Sequence, residues 1–245
     1  MKIDPAGLKE EFRRRQERRA SGHTARARSN PSRFRYDFLA LRLLADDVGS
    51  LIARVPAGEG VRRALDIGCD LSPYRGGLAK RGYRVETLDL TTSKGADHAG
   101  CVERTGLGDE TFDLVLCTQV LEHCDDPFRG VREIWRILRP GGCLIVSVPH
   151  VWFYHPHPSD HWRFTQEGLL KLCSDSGFRP VELLGQGGAV VTFAQVTCFL
   201  LYGLVGRWGA PVYAALNAAA PLVDRAVPNT LFCHNFACLA EKDAR

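Results

Sequence analysis

The chain has 245 residues and a mass of 27.1 kDa, with 45% hydrophobic and 24% charged side chains. That balance belongs to a globular chain and excludes a fully disordered protein, a collagen-like repeat and a small disulfide scaffold. The net charge of +4 is unevenly spread: residues 1–35 hold eleven Lys and Arg against four acids, so the basicity belongs to the N-terminal arm and the remainder is slightly acidic.

Residues 1–31 are rich in Arg, Ser and Gly and poor in apolar side chains, which predicts a basic mobile arm with a short helix over 8–19. No apolar core separates its charges, so it does not read as a secretory signal. From Phe34 the pattern changes. Phe34, Phe38, Leu41 and the apolar positions of 44–51 recur at helical spacing, predicting an amphipathic helix that ends near Arg54. Strand and helix then alternate. Strands are expected over 63–68, 83–89, 112–117, 143–148 and 178–184, and helices over 74–81, 127–138 and 165–176. Pro140-Gly141-Gly142 is expected to turn the chain into the fourth strand, and Gly177 to end the last of these helices. Units of this length indicate an α/β fold: a mainly parallel sheet with helices on both faces.

The last quarter differs. Residues 183–206 and 208–223 contain no charge, and Arg207 separates them. They predict an apolar helical insertion over 186–228 before a final strand at 231–240. Two uses stay open: a buried or homodimer-forming face, or peripheral contact with a membrane, which the basic arm would reinforce on anionic lipid. The arm also permits contact with nucleic-acid phosphates, but nothing interleaves aromatic and basic residues as base recognition requires, so no specific nucleic-acid partner is expected. None of the nine cysteines forms a C-x-x-C pair, and several sit in apolar runs. They read as small buried hydrophobes in a reducing, cytoplasmic setting.

The chemistry begins at Leu65-Asp66-Ile67-Gly68-Cys69-Asp70. An apolar strand ending in Asp-x-Gly before a turn and a helix makes a small-molecule crevice at the strand's carboxyl end. Asp89 ends the next strand, where an acid can accept both hydroxyls of a ribose. The phosphate-binding G-x-G-x-x-G is absent, because positions 70 and 72 are Asp and Ser. A dinucleotide is therefore disfavoured and a nucleoside without phosphates fits better. An Asp near the turn can also meet an ammonium group.

The order Leu-Asp-Ile-Gly-Cys at 65–69, Leu-Asp-Leu at 88–90, Phe-Asp-Leu-Val-Leu-Cys-Thr-Gln-Val-Leu-Glu-His at 112–123 and Ile-Leu-Arg-Pro-Gly-Gly at 137–142 resembles class I S-adenosylmethionine-dependent methyltransferases. Asp160-His-Trp-Arg-Phe-Thr165 is similar to a stretch found in small bacterial members of that family. The resemblance implies a Rossmann-like seven-stranded sheet with the last strand antiparallel, in a methyltransferase domain over 32–245. It implies that Asp66, Gly68, Cys69 and Asp70 line the methionine end of S-adenosylmethionine. Asp89 would bind the ribose, Leu90 would pack beside the adenine, Cys101 and Val102 would lie at the adenine edge, and Thr118 and Gln119 would face the sulfonium. Two positions depart from the family pattern: Asp70 stands where most relatives have Gly, and Cys101 where many have an acid. These departures keep alive a degenerate binding or scaffold protein of the same fold.

Residues 150–163 hold His150, His155, His157, His161 and Asp160 directly after a strand's carboxyl end. One reading is a metal site, but His155-x-His157-x-x-Asp160-His161 misses the known H-x-H-x-D-H spacing by one residue, so no metal is expected there. The other is a substrate loop, in which His155, His157 or His161, oriented by Asp160, takes a proton from an acceptor hydroxyl. Trp152, Phe153, Tyr154 and Trp162 would hold a sugar or an aromatic ring. Glu122-His123, in relatives, more often opens the next helix and shapes the pocket. The expected reaction is methyl transfer to a small-molecule, glycan or lipid-linked acceptor, at oxygen.

Overall fold

The computed structural model describes residues 4, 6–7, 9–10, 25–56, 60, 62–93, 95–156, 158–227 and 232–244. The helix expected over 8–19 falls largely outside them, and so does His157.

Apolar residues at every second position make the strands. In β1 (Arg62–Ile67), β4 (Phe112–Thr118) and β5 (Leu138–Pro149), Leu65, Val115 and Leu144 face one side, and Ala64, Leu114 and Cys143 the other. Both faces are buried, as expected of parallel strands covered by helices. With β2 (Tyr83–Asp89), β3 (His98–Ala99), β6 (Phe178–Gln186) and β7 (Asn235–Lys242) they form a seven-stranded sheet among the described residues, in the order β3-β2-β1-β4-β5-β7-β6. The first five are parallel, and β7 runs antiparallel to both β5 and β6.

Helices α1 (Ala25–Ser29), α2 (Phe38–Arg54) and α3 (Arg75–Lys80) precede the middle of the sheet, and α4 (Pro127–Ile137) and α5 (Gln166–Asp175) follow. Val48, Leu51 and Ile52 of α2 and Leu78 of α3 cover one face. Val131 and Ile134 of α4, with Leu169 and Leu172 of α5, cover the other. Asp126 caps α4 by accepting the amide of Arg129, and Thr165 caps α5 through the amide of Gly168. The Pro140-Gly141-Gly142 segment does not turn the chain between elements. It lies inside β5, where a register shift opposite Phe112 and Leu114 absorbs it, and Gly141 takes a positive φ.

The uncharged segment forms α6 (Ala189–Val205) and α7 (Ala210–Ala226), joined by a 3-10 turn at Gly206–Gly209. Together they are long and apolar enough to cross a membrane by length and composition, and most of the stretch is not buried. Leu204 and Trp208 are about four-fifths exposed at the joint.

Buried amides fasten this pair to the segment before α2. Asn217 donates to the carbonyls of Arg33 and Arg35, while Gln195 donates to that of Tyr36 and accepts the amide of Ala40. Asn217→Ala strands two carbonyls at a buried site. We expect it to lower stability by about 1–3 kcal/mol in denaturant unfolding; an unchanged midpoint would show that the two segments are not fastened there.

Candidate functional site

A cavity of about 720 Å³ opens at the carboxyl ends of β1, β2 and β4, where an open α/β sheet places its ligands. Seven of the ten expected cofactor residues line it: Gly68, Asp70, Asp89, Leu90, Cys101, Val102 and Gln119. Asp66, Cys69 and Thr118 are not among the residues that line it.

The turn after β1 explains its own sequence. Gly68 has φ +66, and a Cβ there would collide with Val120. Asp70 and Ser72 also take positive φ, at 40° and 43°. Position 70, where the resemblance leads one to expect Gly, therefore has a glycine-like backbone, and Asp is among the few residues that tolerate it. Asp89 is held from both sides: Oδ1 accepts the amide of Leu90 at 2.7 Å and Oδ2 that of Asp70 at 3.2 Å. Its carboxylate is fixed at the wall before any ligand arrives. Asp66 is buried and accepts a hydrogen bond from the Ser72 hydroxyl at 2.7 Å, so it braces the turn from below.

The arm contributes a residue that composition and spacing did not reveal. Arg28, in α1, lines the cavity, and its guanidinium lies 3.3 Å from Asp70. At least the last turn of the expected mobile arm is therefore folded against the site.

The opposite end of the cavity is built by the turn after β4 and the loop after β5. His123, His155 and Trp152 line it. Asp160 organises the loop. Its carboxylate, almost fully buried, pairs with both terminal nitrogens of Arg163 and accepts the backbone amide of His155 at 2.8 Å. It also lies 3.3 Å from the His155 ring. Against its burial, Arg163 and His155 hold Asp160 well below the usual carboxylate range. The rest of the Asp160–Thr165 stretch is structural. Trp162 donates its ring N–H to the carbonyl of Cys124, Phe164 is buried against the core, and Thr165 caps α5.

Among the four expected catalytic residues, His155 lines the cavity and Asp160 holds it. His161 does not line it: its side chain is exposed and lies 3.3 Å from Asp125. Burial works against a charged His155, but Asp160 and Glu122 outweigh it and raise its pKa to about 9. In the ligand-free protein at neutral pH the ring is therefore an imidazolium, a donor rather than a ready base.

Burial raises the Asp66 pKa to about 6, against the opposing Ser72 hydroxyl and the charges of Arg75 and Arg28. An acid whose folded pKa lies above its unfolded value loses stability as pH rises between the two, and no further above the folded value. The ligand-free protein should lose about 3 kcal/mol from this group between pH 4 and pH 7. Asp66→Asn removes that component. Denaturant unfolding should show the variant gaining on the parent chain across this interval, and a constant difference would contradict the assignment.

Residues 65–146 match the methyltransferase domain family. The chain is 30% identical over 184 residues to a ubiquinone biosynthesis O-methyltransferase of Methylobacterium sp., spanning 62% of this chain and 69% of that protein. It is 32% identical over 112 residues to a protein of the same description from Alkalilimnicola ehrlichii, covering 40% of this chain and 45% of the relative. For that relative, the chain spans about half of its length. The fold is similar to an S-adenosylmethionine-dependent methyltransferase from Mesorhizobium loti, with a TM-score of 0.55 at 17% identity, over 83% of this chain and all of that one.

Proposed function

The chain belongs to the class I S-adenosylmethionine-dependent methyltransferase family, and from that premise we propose that it transfers the methyl group of S-adenosylmethionine to an oxygen of a small-molecule, glycan or lipid-linked acceptor. The observation that carries the reading is the Asp89 carboxylate. It is clamped by two backbone amides at the wall of the cavity, at the end of β2, where a ribose can place both hydroxyls against it.

Residues at the ends of β1, β2 and β4 would hold the cofactor. Asp89 would take the ribose, and Leu90 with Cys101 and Val102 would take the adenine. Gly68, Cys69 and Asp70, in the turn braced by Asp66, would receive the methionine end, and Thr118 and Gln119, at the end of β4, would face the sulfonium. The sulfonium already carries the reactivity, so the protein contributes alignment for in-line attack and handling of the acceptor's proton. His155, held by Asp160, meets the acceptor hydroxyl at this end. His161 is directed elsewhere, and His157 remains a further candidate in the same loop. Relatives described as O-methyltransferases support oxygen as the accepting atom.

Asp89→Asn should weaken S-adenosylmethionine binding, measured by calorimetry, by about 10-fold or more, because two hydrogen bonds to a charged acceptor are each worth about 1.5–3 kcal/mol. The variant's circular dichroism should match that of the parent chain. Absence of any heat with the parent chain at millimolar cofactor would favour the degenerate, non-catalytic reading.

One observation favours a lipid-linked acceptor over a freely diffusing one. The α6–α7 pair presents Phe193, Leu200, Leu204, Trp208 and Leu222 to solvent, with Arg207 stacked 5.2 Å from the Trp208 ring. An apolar face with an aromatic and a cation at its joint suits peripheral contact with a bilayer, from a cytoplasmic enzyme. The chain should sediment with vesicles containing anionic lipid, and Leu204→Glu with Trp208→Glu should cut the bound fraction severalfold. If the double variant instead converts a dimer into a monomer and leaves sedimentation unchanged, that face joins two copies.

A further inference from the structure

The turn at Leu121–His123 places Glu122 behind the cavity wall, fully buried. Its backbone is pinned there, because the amides of His161 and Trp162 both donate to its carbonyl. Its side chain is in a different situation. Neither carboxylate oxygen accepts a hydrogen bond. What faces Oε1 is a pair of imidazole nitrogens, Nε2 of His123 at 3.7 Å and Nε2 of His155 at 3.8 Å.

The other nitrogen of each ring is accounted for. Nδ1 of His123 meets the carbonyl of Ser159, and Nδ1 of His155 meets the carbonyl of Phe153 at 2.9 Å. A carbonyl only accepts, so each Nδ1 carries a proton. In a neutral ring each Nε2 then presents a lone pair. Two such nitrogens and a carboxylate converge on one point of the cavity wall, with ligand atoms all within 4.8 Å of one another. A buried carboxylate there needs a positive charge beside it: without a cation the proton on His155 supplies it, and a bound cation takes that proton's place. A histidine whose Nδ1–H is fixed by a carbonyl or carboxylate, leaving Nε2 free, is also the usual orientation of a metal-bound histidine. Asp160, 3.3 Å from Nδ1 of His155, adds a carboxylate to that outer layer.

We propose that Glu122, His123 and His155 bind one divalent transition-metal ion at the acceptor end of the cavity. Two imidazoles and one carboxylate suit zinc and its neighbours in the first transition row. Ligands about 2.1 Å from a tetrahedral ion lie about 3.4 Å apart, so Glu122 closes on each ring by a few tenths of an ångström and the two rings close by up to about 1.4 Å, within reach of side-chain adjustment. Three protein ligands leave a fourth position, and His123 and His155 both line the cavity, so that position would open on it. With an ion bound, His155 Nε2 would no longer meet the acceptor hydroxyl; an acceptor oxygen at the fourth position would instead be made more acidic by the ion. The site is distinct from the His155–His157–Asp160–His161 spacing considered in the sequence: it uses one of those residues and takes the other two ligands from the turn after β4, more than thirty positions earlier.

The proposal is read by ion binding, independently of methyl transfer. Chelator-stripped protein is titrated with cobalt(II) chloride, followed by calorimetry and by visible absorption. The expected result is one ion per chain, with the ligand-field bands of a nitrogen–oxygen site and no thiolate charge-transfer band. His123→Ala and His155→Ala should each weaken binding by at least 10-fold, and Glu122→Gln should do the same. His161→Ala should leave it unchanged. Circular dichroism checks that each variant is folded, and His123→Ala, altering a half-buried ring at the cavity wall, decides the matter if Glu122→Gln is not. Three results would overturn the site: no saturable ion near one equivalent, affinity unaffected by His123→Ala and His155→Ala, or a thiolate band that moves the ion to a cysteine.

Discussion

The loop after β5 depends on a single buried carboxylate. Asp160 has almost no access to water, and an ionised acid in that position is stable only if its charge is matched and its oxygens are bonded. Arg163 supplies the charge through both terminal nitrogens, and the backbone amide of His155 supplies a third contact. The loop is thereby closed between residues 155 and 163. That closure directs the His155 ring into the cavity, and the amides of His161 and Trp162 reach back to the carbonyl of Glu122. Two segments far apart in sequence are made into one wall.

The same wall explains why the histidine-rich stretch does not act as a run of equivalent residues. Backbone direction within the loop separates them. His150 turns its Nδ1 to the carbonyl of Phe164, His155 lines the cavity, and the exposed His161 ring, outside the lining, lies beside Asp125. At the other end of the cavity the constraint is different in kind. Gly68, Asp70 and Gln119 all take positive φ, so the cofactor end is shaped by backbone conformation more than by side-chain pairing.

Much of this was legible in the sequence. Alternation of apolar residues located β1, β2, β4 and β6 to within a few positions, and Asp66, Gly68 and Asp89 fell at the strand ends where the cavity opens. What escaped has physical reasons. The two-residue β3 is too short to carry a period. Pro140-Gly141-Gly142 has the composition of a turn, yet a bulge lets it continue the strand. Arg28 belongs to a segment whose composition looks unfolded, and its place beside Asp70 comes from a contact across 42 positions. The meeting of Glu122 and His123 with His155 is likewise a product of topology: adjacent parallel strands β4 and β5 end side by side, and only the fold shows that their following turns share a wall.

On the proposed function the cavity is one continuous site, in which Asp89 would hold a nucleoside and the His123–His155 wall would face the reacting sulfur. A crystal structure with S-adenosylhomocysteine tests this most directly. The account predicts both ribose hydroxyls within hydrogen-bond distance of the Asp89 carboxylate and the sulfur facing His123 and His155. A ribose away from Asp89, or a sulfur turned toward α1, would contradict it.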